Sequence, residues 1–461
     1  MITQNEMQQV IDYTASKGAE FSELFLEDRS DQEIRYGNGG VQAVKNVHIY
    51  GAGLRLINGT EAIYTYTNDV SLKGLKSLAD EALSLLCSKA AKPVPAKALR
   101  KALQIANPNP VGREPSEAQL QLKIEIARRA DAALEAAGVP LLAHNVVYSD
   151  MDQRIWVANS EGILASDRRV NTRARAYYTV GDEHGGTYEW ADIVKCCGME
   201  GWENDELEQY LRRRLQSTYT AMKGDSLKPC TIPVVMAAGS CGTLWHECCG
   251  HSLEAAAIAD GNSDFAGLIG EQVASSKVTL IDDGTMPGLY GSSMIDDEGH
   301  NRQRNVMIEN GVLKTYLCDI LQGKKIGMQS NGCGRRQDYT FAPTSRMSNT
   351  YLAPGTDDEE EMIRSLGEGL YVKRLGGGSG GSIFSLLCTE AYLIKNGQID
   401  RPVKNCMIIG HGIDVMKKID RVGSKLKAEY GGFCGAGSGL VPTTSFQPQV
   451  RISEMTIGGE G

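Results

Sequence analysis

Two histidines five residues apart, His246 and His251, place the strongest constraint on how this chain can fold. On an ideal α-helix, residues five apart are separated by about 140° around the axis, so the two rings would face different directions. Gly250 lies in the intervening turn, and a π turn there, with its i to i+5 hydrogen bond, would bring both rings to one face. Because such turns are frequent at functional sites, we predict a distorted helix in this segment.

The residues around this pair predict a catalytic metal site. Two imidazoles and the carboxylate of Glu247 lie within six residues, and these are the groups with which zinc hydrolases bind the ion and activate water. In this interpretation His246 and His251 are ligands and Glu247 is the general base. A third ligand is needed, and Glu254, on a neighbouring helix face, is one candidate. The alternative is that both histidines are satisfied by backbone or water and bind no metal.

Charge and hydropathy exclude several classes of protein. The net charge is -9, the pI is near 5.5 and no run of clustered Lys or Arg is present, so we expect no nucleic-acid partner. The N-terminus is polar, and no stretch approaches the roughly 18 apolar residues of a membrane span. The 12 cysteines contain no Cys-x-x-Cys spacing, which fits reduced thiols. We therefore expect a soluble, cytoplasmic protein with no membrane contact.

The pattern of elements predicts an α+β protein of two lobes. The first, residues 1–225, has helices and antiparallel strands, with a proline-rich connector near 90–115. The second, residues 230–461, is β-rich and carries the metal-site helix, which we expect to run onward from Cys241. The pairs Asn310-Gly311 and Asn396-Gly397 predict hairpin turns in the second lobe. Within the first lobe the order helix, strands, helix is predicted twice. This repeat could result from an internal duplication or from chance recurrence of short patterns.

Several blocks of sequence resemble one known family. The stretch from His246 to His251 is similar to the His-Glu-x-x-x-His motif of the TldD/PmbA family of zinc metalloproteases. Further blocks similar to that family follow in order: Asp282 to Pro287, Asp296 to Gly299, Asn331 to Arg336, Met347 to Thr350, and Gly432 to Gly435. The resemblance covers residues 230–461 well and the first lobe in outline. It identifies the chain as a TldD-type, metal-binding member.

The resemblance carries further expectations about the site and the function. It implies a cytoplasmic zinc peptidase that acts on short or unfolded peptides, usually as a dimer with a PmbA-like chain. It also implies that Cys434 is the third zinc ligand, which leaves Glu254 as the residue that holds a histidine ring. A different class of function stays open, in which the metal is structural and the protein binds peptides or modulates a partner without hydrolysis.

Three more residues are weaker candidates for contacts with substrate. Arg335 and Arg336 lie in a glycine-flanked loop and could bind a peptide carboxylate through paired hydrogen bonds, although two solvated surface cations would look the same in sequence. His300 follows an acidic block and could donate a hydrogen bond in the transition state, whereas an isolated histidine is more often structural.

Overall fold

The computed structural model describes residues 2–86, 93–183 and 185–460, so part of the predicted connector, residues 90–92, lies outside the described residues. The fold is mixed α and β in two lobes, as predicted. The elements of the first lobe are α1 (Gln4–Ser16), β1 (Phe21–Gly37), β2 (Gly40–Asn58), β3 (Glu61–Thr67), α2 (Leu72–Leu85), β4 (Arg100–Lys101), α3 (Leu120–Glu135), β5 (Leu141–Asn159), β6 (Ile163–Asp182), β7 (Gly185–Lys195) and α4 (Glu206–Met222).

One antiparallel sheet organises the first lobe, with β3, β2, β1, β5, β6 and β7 as neighbours in that order. Its centre is the β1–β5 pair, and the order helix, three strands, helix occurs on either side of it. The helices α1 and α2 cover one end of the sheet with an apolar cluster around Leu24 and Leu54. The helices α3 and α4 cover the other end around Tyr148 and Leu211. Each end therefore has its own core.

The second lobe is built from two larger sheets. Its elements are β8 (Cys230–Met236), α5 (Thr243–Trp245), α6 (Ala255–Ala259), β9 (Leu280–Asp283), β10 (Arg304–Glu309), β11 (Val312–Leu313), α7 (Ile320–Ile326), β12 (Gly334–Arg335), β13 (Thr344–Ser345), β14 (Asn349–Leu352), α8 (Glu359–Arg364), β15 (Gly369–Ser379), β16 (Ile383–Lys395), β17 (Gln398–Val403), β18 (Cys406–His411), α9 (Gly412–Lys417), β19 (Ile419–Val422), β20 (Gly432–Ala436), β21 (Gly439–Phe446) and β22 (Val450–Glu460).

The strands β15, β8, β22, β18 and β16 form a closed ring, because β15 also pairs with β16. The other sheet has the order β11, β10, β9, β14, β21, β20, which leaves β20 at its end. One large apolar core fills the space between these strands and the segment with the two histidines. The hairpins predicted at Asn310-Gly311 and Asn396-Gly397 are confirmed, and both asparagines have positive φ. Among the described helices, none has the length and apolar character needed to cross a membrane.

Buried ion pairs join the two lobes. Nη2 of Arg55 lies 2.6 Å from Glu23 in the first lobe and 2.6 Å from Glu298 in the second. Arg336 donates to the other oxygen of Glu23 at 2.5 Å, and all of these side chains are buried. Asp296, beside Glu298, accepts hydrogen bonds from backbone N–H groups of its own turn. The acidic block of the sequence thus builds a turn and an interface between the lobes.

Replacing Arg55 with Met is expected to lower the free energy of unfolding by about 3–5 kcal/mol, because it leaves Glu298 buried without its cation and leaves Glu23 with Arg336 alone. Chemical denaturation of the two proteins measures the difference. Arg35→Met is the control, since Arg35 pairs with Glu33 at an exposed position and should cost less than about 1 kcal/mol. Equal losses in the two variants would contradict a stabilising role for the buried network.

Candidate metal centre

The segment with the two histidines is a succession of short helical turns. A 3₁₀ turn at Ser240–Gly242 leads into α5, a π turn spans His246–Gly250, and a second 3₁₀ turn spans His251–Leu253. The N–H of His251 donates to the carbonyl of His246, which is the i to i+5 bond of the predicted π turn. The π turn is therefore confirmed. The helix predicted to run onward from Cys241 is interrupted more often than expected, because the 3₁₀ turns before and after the π turn also break the α-helical ladder.

Tight packing explains why a glycine lies in the π turn. A Cβ built on Gly250 would lie 2.0 Å from Sδ of Met347, which is itself fully buried. On the core side, Trp245 is fully buried and its indole N–H donates to the Gln447 side chain. A larger residue at position 250 would push the turn away from Met347. The geometry of the turn is thus held by its neighbours as well as by its own hydrogen bonds.

The π turn and a distant strand together form a cluster of three potential ligands. One ligand atom from each of His246, His251 and Cys434 lies within 4.8 Å of the other two. Sγ of Cys434 is 3.2 Å from Nε2 of His251. The two imidazole rings have centroids 5.0 Å apart and are nearly perpendicular. These separations suit donors that share one transition-metal ion.

Cys434 reaches the histidines from β20, the strand at the end of its sheet. Register with β21 places Cys434 opposite Val441. The guanidinium of Arg346 is fully buried, and it donates to the carbonyl of Cys434 at 2.5 Å and to the carbonyl of Gly439 at 3.0 Å. Arg346 therefore holds both arms of the hairpin that presents the thiol. Sequence reasoning missed this residue, whose only signal was a charged side chain directly before the Met347 to Thr350 block.

His251 is oriented by an acidic partner. Nδ1 of His251 lies 3.2 Å from Oε2 of Glu254, while Nε2 faces Cys434. Burial alone would lower the pKa of His251, but Glu254 and Cys434 outweigh it and raise the pKa to about 11. The other oxygen of Glu254 accepts from the N–H of Met347 at 3.4 Å. Glu254 thus occupies the position of a residue that holds a ligand ring rather than a position in the cluster.

His246 has the properties of a neutral metal ligand. It is 4% exposed and its buried Nδ1 has no hydrogen-bond partner in the described parts of the chain. Burial, and then the neighbouring His251, lower its pKa well below the ordinary value. A buried imidazole without hydrogen bonds costs free energy, which coordination of an ion by one ring nitrogen would offset. The donor set, two imidazoles and a thiol, fits zinc.

Glu247 lies at the open side of the cluster. Its Oε2 is 3.9 Å from Nε2 of His251, and about a quarter of its side chain is exposed. Burial raises the pKa of the carboxyl group above its ordinary value, which brings a carboxylate nearer to the basicity that proton transfer requires. The backbone of the glycine-rich segment at the end of β15 lies against it, and the N–H of Gly381 donates to the Glu247 carbonyl at 2.9 Å.

If Glu247 is the general base predicted from the sequence, replacing Gly380 with Ala is expected to reduce turnover by about 10- to 100-fold, because displacement of such a group by about 1 Å has costs of this size. A Cβ on Gly380 would lie 2.5 Å from Oε2 of Glu247 and 2.6 Å from its carbonyl oxygen. Steady-state cleavage assays and zinc analysis measure the effect, and zinc content should not change. Gly377→Ala is the matched control, since a Cβ there meets no atom within 4 Å. Equal activities would show that this contact does not position Glu247.

The remaining predicted residues lie outside the cluster. Arg336 is buried and engaged by Glu23, as described above, so it is not a solvated surface cation. Nη1 of Arg335 donates to the carbonyls of Met347 and Pro442 at 2.6 and 2.7 Å. His300 lies beside Ser330, in a separate group with Asp296 and Glu298. Glu298 of that group pairs with Arg55, and Asp296 accepts the N–H of His300, so His300 lies beside the ion pairs that join the lobes.

Comparison with known proteins extends over the whole chain. Domain 1 of the PmbA/TldA metallopeptidases matches residues 22–86, the central domain matches 113–215 and the C-terminal domain matches 229–459. The metalloprotease TldD homolog of Buchnera aphidicola is 34% identical over 433 residues, 89% of this chain and 86% of that protein. The zinc metalloprotease TldD homolog of Saccharolobus solfataricus is 28% identical over 319 residues, 68% of this chain and 69% of that protein.

The fold is also that of a solved structure. The crystal structure of TldE from Thermococcus kodakarensis matches with a TM-score of 0.75 at 17% identity, covering 98% of this chain and 100% of that one. Fold and cluster together define the class, a two-lobed α+β protein with a candidate metal centre. The chain belongs to the PmbA/TldD metallopeptidase family.

Proposed function

We propose that this protein is a zinc peptidase that hydrolyses short or unfolded peptides. The observation that carries the proposal is the convergence of His246, His251 and Cys434 with Glu247 beside them. Two imidazoles and a thiolate are suitable zinc ligands, and three protein ligands are the usual number where the fourth position serves catalysis. The printed name of the Saccharolobus relative, a zinc metalloprotease, supports the choice of metal.

The side chains around the cluster have distinct roles in this proposal. When bound, zinc would polarise the carbonyl of the scissile peptide and increase the acidity of a water molecule. Glu247 takes the proton from that water and passes it to the leaving amine. Glu254 holds the ring of His251 so that its Nε2 faces the cluster, and Arg346 holds the strand that carries Cys434.

Zinc removal tests the proposal directly. The purified protein is expected to contain about one zinc ion per chain, to cleave an unstructured peptide, and to lose cleavage with a chelator and regain it with added zinc. Metal analysis and mass spectrometry of the products measure these effects. Zinc that is retained without any cleavage would contradict hydrolysis and would support a peptide-binding protein with a structural metal.

We also propose that the protein acts in the cytoplasm as a dimer, with a PmbA-like chain as one possible partner. Both expectations rest on the family resemblance. The cleavage assay is therefore run with this chain alone and with a PmbA-like chain added, and the mass of each assembly is measured by light scattering. Inactivity in both conditions is the result that counts against hydrolysis.

A further inference from the structure

A polar cavity, separate from the ligand cluster, lies between the lobes, next to the hairpin that carries Cys434. It has a volume of about 320 Å³ and its lining includes Arg335, Phe433 and Pro442. Phe433 directly precedes Cys434 on β20, so the two side chains point to opposite faces of the strand. Pro442, which pairs with Phe433, accepts a hydrogen bond from Arg335. The metal cluster and the cavity thus share one hairpin.

Arg335 is the cation of this cavity that has no carboxylate partner and is nevertheless buried. It is 6% exposed, and Nη1 bonds to two backbone carbonyls. Its Nε and Nη2 have no hydrogen-bond partner among the described residues. Burial, and then the neighbouring guanidinium of Arg302, lower the pKa of Arg335 to about 9, although the carboxylate of Asp297 acts in the opposite direction. A second cation, Lys45, lines the rim but is exposed to solvent.

The other charged groups of the cavity are already compensated within the protein. Their ion pairs are Arg29 with Asp31, Arg35 with Glu33, Lys123 with Asp150, Arg168 with Asp152, Arg169 with Asp167, Arg173 with Asp192 and Arg336 with Glu23. The lining carboxylates therefore do not neutralise Arg335. Asp297 attracts Arg335 but accepts its hydrogen bonds from Arg169 and from the N–H of Arg336. Two adjacent donor nitrogens of Arg335 thus remain without an acceptor among the described residues.

We propose that this cavity is a subsite for a carboxylate of the peptide substrate, bound by Nε and Nη2 of Arg335. Two parallel N–H donors match the two oxygens of a carboxylate. The lining also includes Phe433, Leu440 and Val170, which would contact the side chain or stem of the residue that bears the carboxylate. The proposal rests on the peptidase function, and it names the class of substrate: peptides with an acidic side chain or a free C-terminus near the scissile bond.

Binding measurements on zinc-loaded Glu247→Gln protein test this subsite without cleavage of the ligand. Each set contains four peptides of one sequence, with Glu or Gln at one position and with a free acid or an amide at the C-terminus. Successive sets place the Glu or Gln at successive positions of the peptide. Loss of the relevant carboxylate is expected to weaken binding by about 10- to 100-fold. The peptide pair that shows the loss distinguishes an acidic side chain from the C-terminus. Equal binding of all four peptides, or no binding, would overturn the proposal.

Variants of Arg335 then assign the effect. In Arg335→Gln the preference for the carboxylate should disappear, and in Arg335→Lys, which keeps the charge but not the paired donors, it should shrink. The control Lys45→Gln removes a solvated cation and should leave the preference unchanged. A preference that persists in both Arg335 variants overturns the assignment. Cleavage of the same peptides by the unsubstituted protein is measured separately, so failure of hydrolysis is distinguished from failure of the subsite.

Discussion

Replacing Glu247 with Gln is expected to reduce kcat by about 10²- to 10⁴-fold, the range in which a general base contributes. Gln has the same shape but cannot accept the proton of a water molecule. Because Glu247 is not one of the three clustered ligands, the variant should retain its zinc. Steady-state cleavage of an unstructured peptide, with metal analysis of the same sample, measures both quantities.

Two results would contradict this role of Glu247. Full activity in the variant would mean that another group accepts the proton. Loss of zinc together with activity would mean that the carboxylate binds or stabilises the ion instead. Glu183→Gln provides a control for the chemistry of the substitution, because Glu183 lies in the first lobe and belongs to neither the cluster nor the cavity described above.

Replacing Cys434 with Ala is expected to reduce zinc affinity by more than about 100-fold, since residues that only support a ligand already cost about 10- to 100-fold when removed. The thiol is one of three ligand donors, and its loss would leave two imidazoles to bind the ion. Competition with a chromogenic chelator measures the affinity. Activity at limiting zinc should fall in parallel.

The choice between Cys434 and Glu254 as third ligand follows from comparing their variants. Glu254→Gln should cost only about 10- to 100-fold in affinity, because Glu254 holds the ring of His251. Cys388→Ala is the control for loss of a buried thiol, since Cys388 lies in the ring of strands and is 1% exposed. If Cys434→Ala retained zinc and Glu254→Gln lost it, Glu254 would be the third ligand and Cys434 would not.

Local features of the sequence predicted those elements whose conformation depends on contacts between residues close in sequence. The spacing of His246 and His251 with an intervening glycine predicted the π turn, and Asn-Gly pairs predicted two hairpins. The helix predicted from Cys241, distorted by that π turn, differs from the observed segment in its additional 3₁₀ turns. The apolar pattern does not distinguish an α-helical ladder from a series of 3₁₀ and π turns. Those turns are selected by packing against Met347, Gln447 and Phe446.

The two adjacent arginines show where prediction from sequence ends. Arg335 and Arg336 occupy one motif, yet Arg336 is neutralised by Glu23, more than 300 positions away, while Arg335 has only carbonyl partners. Arg346, which holds the Cys434 hairpin, gave no sequence signal of that role. The function of a buried cation depends on which anion lies beside it, and that is a property of the assembled lobes.

By itself, the sequence determined the class of elements, the distorted turn and the chemistry that two histidines and a glutamate can perform, because these depend on backbone periodicity and on side chains within a few residues. Only the tertiary structure decided which distant groups meet them. It brings the thiol of Cys434 to 3.2 Å from His251, and it gives the side chain of Arg335 carbonyl hydrogen-bond partners beside the same hairpin. The physical reason is that ligand geometry and charge compensation depend on separations through space, which chain order does not specify.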